Sequence, residues 1–368
     1  MRILFADLEQ EWRGGQSQAL LTLRGLRSAG HDVILLAPAT SVLTGRAHSE
    51  SLPVLEVSAR ASRFSAASVI RESLAGTRRT GHGFDLIHLN EPHALTAAWL
   101  ARAHRRLPLL LSRRIGFPLQ KNWISRARYG AVTRFLPNSK AVAQSLMDCG
   151  IDAKRISVVN EGVEVPPLIT PQQRSEARLH LKIAPDEFLF GCVSVFVKEK
   201  GQRHLITAMR LLREKHPQAR LLLAGDGPCR AELESQAAQL GQKDAVLFPG
   251  FVKNVDMIYA ALDGFVFPSE FEGLGTALQT AMAFAIPCIS TARGALGEVV
   301  ENNKTALVVE PDGTEFASAM AQIMQDATLR KKLGEAARRE VQQRFSAQLM
   351  VENTLRVYED VLRKWDSP

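Results

Sequence analysis

Cysteine is scarce and scattered. The 368 residues carry four, Cys149, Cys192, Cys229 and Cys288, with no Cys-x-x-Cys pair among them. That spacing argues against a structural zinc and a disulfide framework, and fits reduced thiols in the cytoplasm. Long apolar runs are missing as well: none approaches the roughly 18–20 residues that a membrane-crossing helix requires. The opening MRILFADLEQEW meets acid by Asp7 and has no extended apolar stretch, so it reads as a first strand and no signal peptide is expected.

Acid is absent from one long segment. Residues 92–147 contain no Asp or Glu but ten bases: Arg102, Arg105, Arg106, Arg113, Arg114, Lys121, Arg126, Arg128, Arg134 and Lys140. Residues 1–164 hold 22 Lys and Arg against 13 Asp and Glu, a net +9, while the remainder is nearly neutral at 24 against 25. A basic face suits an anionic partner such as a membrane surface, and the plain alternative is a solvated surface. Nucleic acid is the weaker partner, because the stretch lacks the aromatic spacing of a stacking platform. A dinucleotide fingerprint is missing too. Gly14-Gly15 is not G-x-G-x-x-G and no acid follows the second apolar run, which counts against a dehydrogenase.

What is present is a repeated alternation. Apolar content of 46% with 23% charged residues describes a globular chain long enough for two domains. In the first half the short apolar runs are 2–7, 32–37, 54–58, 85–89, 108–112, 134–138 and 156–160; in the second, 188–195, 219–225, 245–250, 264–268, 287–290 and 305–309. Helical patterns separate most of them, for example residues 16–28 with Leu20, Leu23 and Leu26 on one side. Such runs suit parallel strands covered on both faces, and each array reads as a doubly wound α/β unit. The three prolines in residues 164–173 mark a linker. The expected organisation is residues 1–164, a linker at 165–173, a second domain at 174–345, and a final helix, 346–368, that completes the first domain. After Ser346, a plausible N-cap, Val351, Leu355, Tyr358, Leu362 and Trp365 recur at one-face helical spacing.

Two parallel-sheet domains place the expected ligand site in a cleft at the carboxyl ends of their strands. The chemistry is therefore sought in turns that follow strands. Gly14-Gly15 opens a helix whose free amides attract phosphate. Lys198 and Lys200 precede Gly201 at the next helix start. AGDGP (224–228) and PGF (249–251) are glycine turns in which Gly250 and Phe251 can lie against a flat base. In EGLGT, Glu272 can accept hydrogen bonds from hydroxyl groups, and Gly273, Leu274 and Gly275 form the turn. Thr276 is the expected N-cap of a helix reaching about Phe284, with Thr280 leaning back toward the loop.

Taken in order, these turns resemble the retaining glycosyltransferases of family 4, on the two-domain GT-B scaffold with Rossmann-like halves and a C-terminal crossover helix. The resemblance runs from GG after the first strand through KG, AGDGP, PGF, PSEFEGLG, AMA and GEVV (297–300), with LPNSKAVAQSL and ISVVNEGVEV closing the first half. It implies transfer of a sugar from a nucleotide-diphosphate donor, a UDP-sugar first, with retained configuration, no metal and no further cofactor. By the resemblance, the diphosphate lies between Gly14-Gly15 and Lys200. Glu272 holds sugar hydroxyls near the amides of Leu274, Gly275 and Thr276. Acceptor specificity resides in the first domain, where Glu91, His93 and Arg113 are the candidates. The acceptor is lipid-linked or a saccharide, in lipopolysaccharide, exopolysaccharide or glycolipid assembly at the inner face of a membrane.

Three departures stand out. The family's second acid, eight residues after the first, is Thr280; one lost charge-assisted hydrogen bond costs about 1.5–3 kcal/mol. The arginine five residues before the KG lysine is Val195. The histidine that many members carry after the fifth strand is Arg114, which is expected to restore the missing positive charge. These losses keep a second class open, a binding or regulatory protein on the same scaffold. A nucleotide-sugar epimerase would need more acid and base groups than these turns display.

Overall fold

Short, continuously apolar runs become central strands of parallel sheets because helices cover both their faces. The computed structural model describes residues 1–58, 63–80, 83–116, 119 and 122–365, with residues 76–80 by backbone alone. It divides into two compact units, Met1–Gly162 with Ala347–Pro368, and Val163–Ser346.

The first unit holds strands β1 (Arg2–Ala6), β2 (Asp32–Pro38), β3 (Val54–Val57), β4 (Leu86–Leu89), β5 (Leu109–Arg113) and β6 (Arg134–Pro137). Its helices are α1 (Gly14–Ser28), α2 (Val42–Ser49), α3 (Arg63–Thr80), α4 (Pro92–Leu100), α5 (Trp123–Gly130) and α6 (Lys140–Asp148). All strand pairs are parallel, in the order β3-β2-β1-β4-β5-β6. The period of two along β1 sorts the core: Ile3 and Phe5 join the cluster containing Leu20, Leu23 and Leu26 of α1, while Leu4 and Ala6 join Ile70 and Leu95 on the other face.

The second unit repeats the plan. Its strands are β7 (Phe188–Val193), β8 (Ala219–Ala224), β9 (Val246–Gly250), β10 (Gly264–Phe267), β11 (Cys288–Ser290) and β12 (Leu307–Val308), ordered β12-β11-β10-β7-β8-β9. Helices α7 (Pro171–His180), α8 (Gln202–Arg213), α9 (Arg230–Gln239), α10 (Val255–Ala261), α11 (Thr276–Ala283), α12 (Gly313–Gln325) and α13 (Ala327–Glu340) cover it. All four cysteines are unpaired.

The last helix, α14 (Ala347–Trp365), belongs to the first unit and packs on α1. A Cβ on Gly25 would lie 2.2 Å from Val351 Cγ2, so only glycine admits this approach. Tyr358 is fully buried with its hydroxyl on His88 Nδ1, and His88 Nε2 lies 2.7 Å from Ser112 Oγ. Burial, helped by the Arg114 charge, lowers the His88 pKa to about 3, so the ring is neutral.

Three sequence expectations change. Residues 156–160 are not a strand. The amides of Ser157 and Val159 bond to the carbonyls of Phe135 and Pro137, but Pro137 has no N–H to return and only the Phe135–Ile156 bridge forms. The linker is shorter than expected, because Thr170 and Gln173 form a capping box and Pro171 is the first residue of α7. Trp365 is 41% exposed, and the buried face of α14 is instead Met350, Val351, Thr354, Tyr358 and Val361.

Candidate functional site

In each sheet the strand order reverses between the first and fourth strands, at β1/β4 and at β7/β10. Loops leaving the carboxyl ends there diverge and open a crevice for ligands. In the second unit the two loops are residues 194–201 and 268–275. Lys200, in a single helical turn over Lys198–Lys200, forms an ion pair with Glu272 directly across this point. Their side chains are only 19% and 15% exposed, so the pair is screened less than a surface bridge. The Glu270 amide donates to the Glu199 carbonyl at 2.8 Å and laces the loops together. Lys198 stays exposed.

The turn around Glu272 is held by backbone geometry. Glu272 Oε1 accepts from the Gly273 amide at 3.1 Å, and its carbonyl accepts from the Ala295 amide at 3.4 Å. Gly275 has φ +64 and caps α11; Thr276, the expected cap, is the first helical residue. Glycine wins that position because the chain must enter the left-handed region to turn into the helix. No side chain among the described residues caps this helix start, which leaves its first amides for a ligand. Leu274 is buried and anchors the turn. Thr280 does not aim its hydroxyl at the loop: Oγ1 donates to the Thr276 carbonyl at 2.8 Å within its own helix.

The remaining turns of this unit divide into two kinds. AGDGP is structural, since a Cβ on Gly225 (φ +142) would lie 1.9 Å from the Ser194 carbonyl oxygen. PGF is open: Gly250 ends β9, and the following Phe251 is 65% exposed. Val195, where the sequence lacks a cation, is also exposed.

The first unit gathers its groups at the β1/β4 reversal. Gly14 and Gly15 are the first two residues of α1. A Cβ on Gly15 would lie 3.9 Å from Arg114 Cδ and Nη1, so this arginine flanks the helix start. Arg114 Nη1 donates to the Asn90 carbonyl at 2.9 Å, and Nε lies 2.9 Å from Glu161 Oε1. Asn90 Nδ2 donates to Asp7 Oδ2 at 2.5 Å and to the Gly15 carbonyl at 3.2 Å. Arg113 ends β5, half-buried, and its carbonyl accepts from the Asn138 amide. The sequence reading assigns no site role to Asp7, Asn90 or Glu161. An acid ending an apolar run is the available signal for Asp7, and for Glu161 it is the NEGVEV motif in which it stands.

Glu91 and His93 separate in role. Glu91 is the N-cap of α4: its carboxylate accepts from the amides of Leu8 (3.2 Å), Ala94 (2.6 Å) and His93. Its oxygens are thus engaged by backbone amides rather than presented to an acceptor. Burial, reinforced by Asp7, pushes its pKa up to about 8 against those three donors. His93 is the accessible member, with Nδ1 accepting from Arg63 Nε at 3.1 Å and Nε2 lying 3.7 Å from Glu9.

The basic stretch is partly consumed inside the unit. Arg114 pairs with Glu161, Arg128 donates to Thr96 Oγ1, and Arg134 pairs with Asp360 at 3.0 Å. Lys121 lies outside the described residues. No helix among the described residues is long and apolar enough to cross a membrane.

A family model of glycosyltransferase family 4 matches residues 12–165, and one of the glycosyl transferases group 1 matches residues 173–340. The chain belongs to these glycosyltransferases. Among curated relatives, this glycosyltransferase is 33% identical over 183 residues to N-acetyl-alpha-D-glucosaminyl L-malate synthase of Bacillus anthracis, covering 49% of this chain and 48% of that protein. The match spans about half the length of that relative. The lipopolysaccharide core biosynthesis mannosyltransferase LpsB of Rhizobium meliloti is 29% identical over 260 residues, 66% of this chain and 74% of LpsB. Among solved structures, Anabaena HepE in complex with UDP and glucose superposes with a TM-score of 0.83 at 22% identity, covering 98% of this chain and 99% of that one. The shared fold is the GT-B α/β fold.

Proposed function

We propose that this glycosyltransferase moves a sugar from a nucleotide-diphosphate sugar, a UDP-sugar first, to a lipid-linked or saccharide acceptor with retention of configuration. The observation that carries this reading is the Lys200–Glu272 pair at the β7/β10 reversal, beside the uncapped start of α11. Lys200 and the α11 amides stabilise charge developing on the departing diphosphate, as preorganised donors can without a metal. Glu272 accepts hydrogen bonds from hydroxyls of the donor sugar, and exposed Phe251 offers a face to the base. Within the first unit by itself, the α1 start at Gly14-Gly15 and the adjacent Arg114 form a surface suited to an anion.

The relatives support an acceptor in surface polysaccharide or glycolipid assembly, as LpsB's description does for LpsB. Arg126, exposed on α5 next to Trp123 and Ile124, suits contact with an anionic membrane surface. Val195 and Thr280, which replace charged residues at the donor side, favour a second reading: a nucleotide-sugar-binding or regulatory protein with weakened catalysis.

Release of nucleotide from a panel of nucleotide sugars, with and without saccharide and lipid-linked acceptors, tests the proposal. Turnover of one donor, lost in Glu272→Gln and Lys200→Met, is expected. Donor binding without turnover on any acceptor would instead establish the binding protein.

A further inference from the structure

Arg114 is held by two arms, and both lead back to α1. On one side Nη1 donates to the Asn90 carbonyl, and Asn90 Nδ2 donates to the carbonyl of Gly15 at the helix start. On the other side Nε lies 2.9 Å from Glu161 Oε1. Glu161 stands on an irregular segment, since residues 158–162 form no strand. The Val159 amide still reaches the Pro137 carbonyl, and Asn160 Nδ2 the Asn138 carbonyl, but the sheet offers Gly162 nothing.

Gln18 supplies what the sheet does not. It lies in the second turn of α1 and is 2% exposed. Its Oε1 accepts from the Gly162 amide at 3.1 Å, and its Nε2 donates to the Gly162 carbonyl at 2.9 Å. One side-chain amide thus satisfies both backbone groups of a single residue, as a neighbouring strand would, across 144 positions of sequence. The Gly162 N–H belongs to the peptide that joins it to Glu161, so the clamp fixes the backbone from which the Glu161 side chain departs. Packing alone does not fix the pair. A cavity of about 30 Å³ borders it, with Arg114, Glu161, Ser112, Asn138 and Asn160 among its walls. That is room for a water, and room for the guanidinium to shift once its carboxylate is loose.

We propose that Gln18 is a positioning residue for glycosyl transfer: by clamping Gly162 it aims Glu161 at Arg114 and holds the guanidinium beside the α1 start. Buried itself, Gln18 acts only through these two residues. Helix α1 therefore sets Arg114 from both sides, Gly15 through Asn90 and Gln18 through Gly162 and Glu161. The inference rests on the glycosyl-transfer reading above and on the place of Arg114 in it.

Double-mutant kinetics on the full chain separate positioning from packing. Gln18→Met keeps the side chain's length but drops both bonds, and should lower kcat/KM about ten- to hundredfold. In an Arg114→Ala background the same change should alter turnover by no more than about twofold, because the group it aims is already gone. Gln18→Glu, isosteric and still able to accept from the Gly162 amide, should lose less, and it serves in place of Gln18→Met if that variant does not fold. A second readout needs no turnover. The Arg114 Nε–H resonance, identified by its loss in Arg114→Ala, should shift or broaden in either Gln18 variant, while that of Arg134, paired with Asp360, stays in place. The proposal is overturned if a folded Gln18→Met turns over like the wild type, if the loss is the same with and without Arg114, or if the Arg114 resonance does not move. A wild type that turns over no nucleotide sugar would instead sink the transfer reading, and the resonance alone would then decide whether Gln18 sets Arg114.

Discussion

Replacing Gly275 with alanine tests whether the EGLGT turn is held by its backbone. At φ +64 an L-residue enters the left-handed region at a cost of about 1–2 kcal/mol. The new Cβ would also lie 2.7 Å from Leu296 Cδ2 and 3.3 Å from Phe267 Cε1, both on fully or nearly fully buried side chains. Overpacking of that kind costs about 1–3 kcal/mol, so the total is roughly 2–5 kcal/mol. For a unit of this size that corresponds to about 5–15 °C in the unfolding midpoint. The same Cβ would lie 3.6 Å from Glu272 Cγ, so relief of the clash moves the carboxylate and the helix start together. Loss of one charge-assisted hydrogen bond to the donor would lower affinity roughly 10- to 150-fold. Calorimetry on the full chain reads the first effect, and stabilisation by nucleotide diphosphate reads the second. Gly275→Asn separates the causes, because asparagine tolerates the left-handed region but keeps the Cβ contact. An unfolding midpoint equal to the wild type's for Gly275→Ala would refute the reasoning.

Gly14→Ala should act with opposite signs, since a Cβ there meets nothing within 4 Å and the residue is helical. Stability should rise by about 0.5–1 kcal/mol while nucleotide-diphosphate affinity falls, as followed by thermal shift with and without ligand. Glu91 has its folded pKa raised from 4.5 to about 8, so the folded state binds the extra proton and wild-type stability should fall as pH rises through that window. Glu91→Gln cannot ionise, and its unfolding free energy should lack this term, up to about 1.4 kcal/mol per pH unit; parallel pH curves for the two proteins would contradict it. Glu161→Ala leaves Arg114 uncompensated in a site only 19% exposed and should cost on the order of 3 kcal/mol in denaturant unfolding. In turnover assays Arg114→Ala should be far more damaging than Arg126→Ala; equal mild effects would remove Arg114 from the site.

Much of the fold was legible because parallel strands buried on both faces must be short and apolar. Phe188–Val193 and Ala219–Ala224 announce themselves in this way. Residues 156–160 carry the same apolar character, but Pro137 on the neighbouring strand cannot return a hydrogen bond, and pairing is a property of two segments. The α7 start was misread for a related reason: prolines mark both a linker and a first helical turn, and only the capping box decides between them. At the site, Glu272 and Lys200 could each be singled out from turns after strands. Their ion pair could not, because 72 residues separate them. The resemblance makes Glu91 an acceptor-side candidate, whereas three backbone amides make it a cap.

The sequence by itself determined the two doubly wound units, the positions of the glycine turns, and the net positive charge of the first half. Each of these depends on local periodicity, backbone sterics or composition. Tertiary structure alone decided which acid meets which base: Glu272 with Lys200, Glu161 with Arg114, and Glu9 facing His93 across a gap. It also turned Thr280 onto its own helix. Parallel sheets bring distant loops together at the strand-order reversal, and that juxtaposition is encoded in no single stretch of the chain.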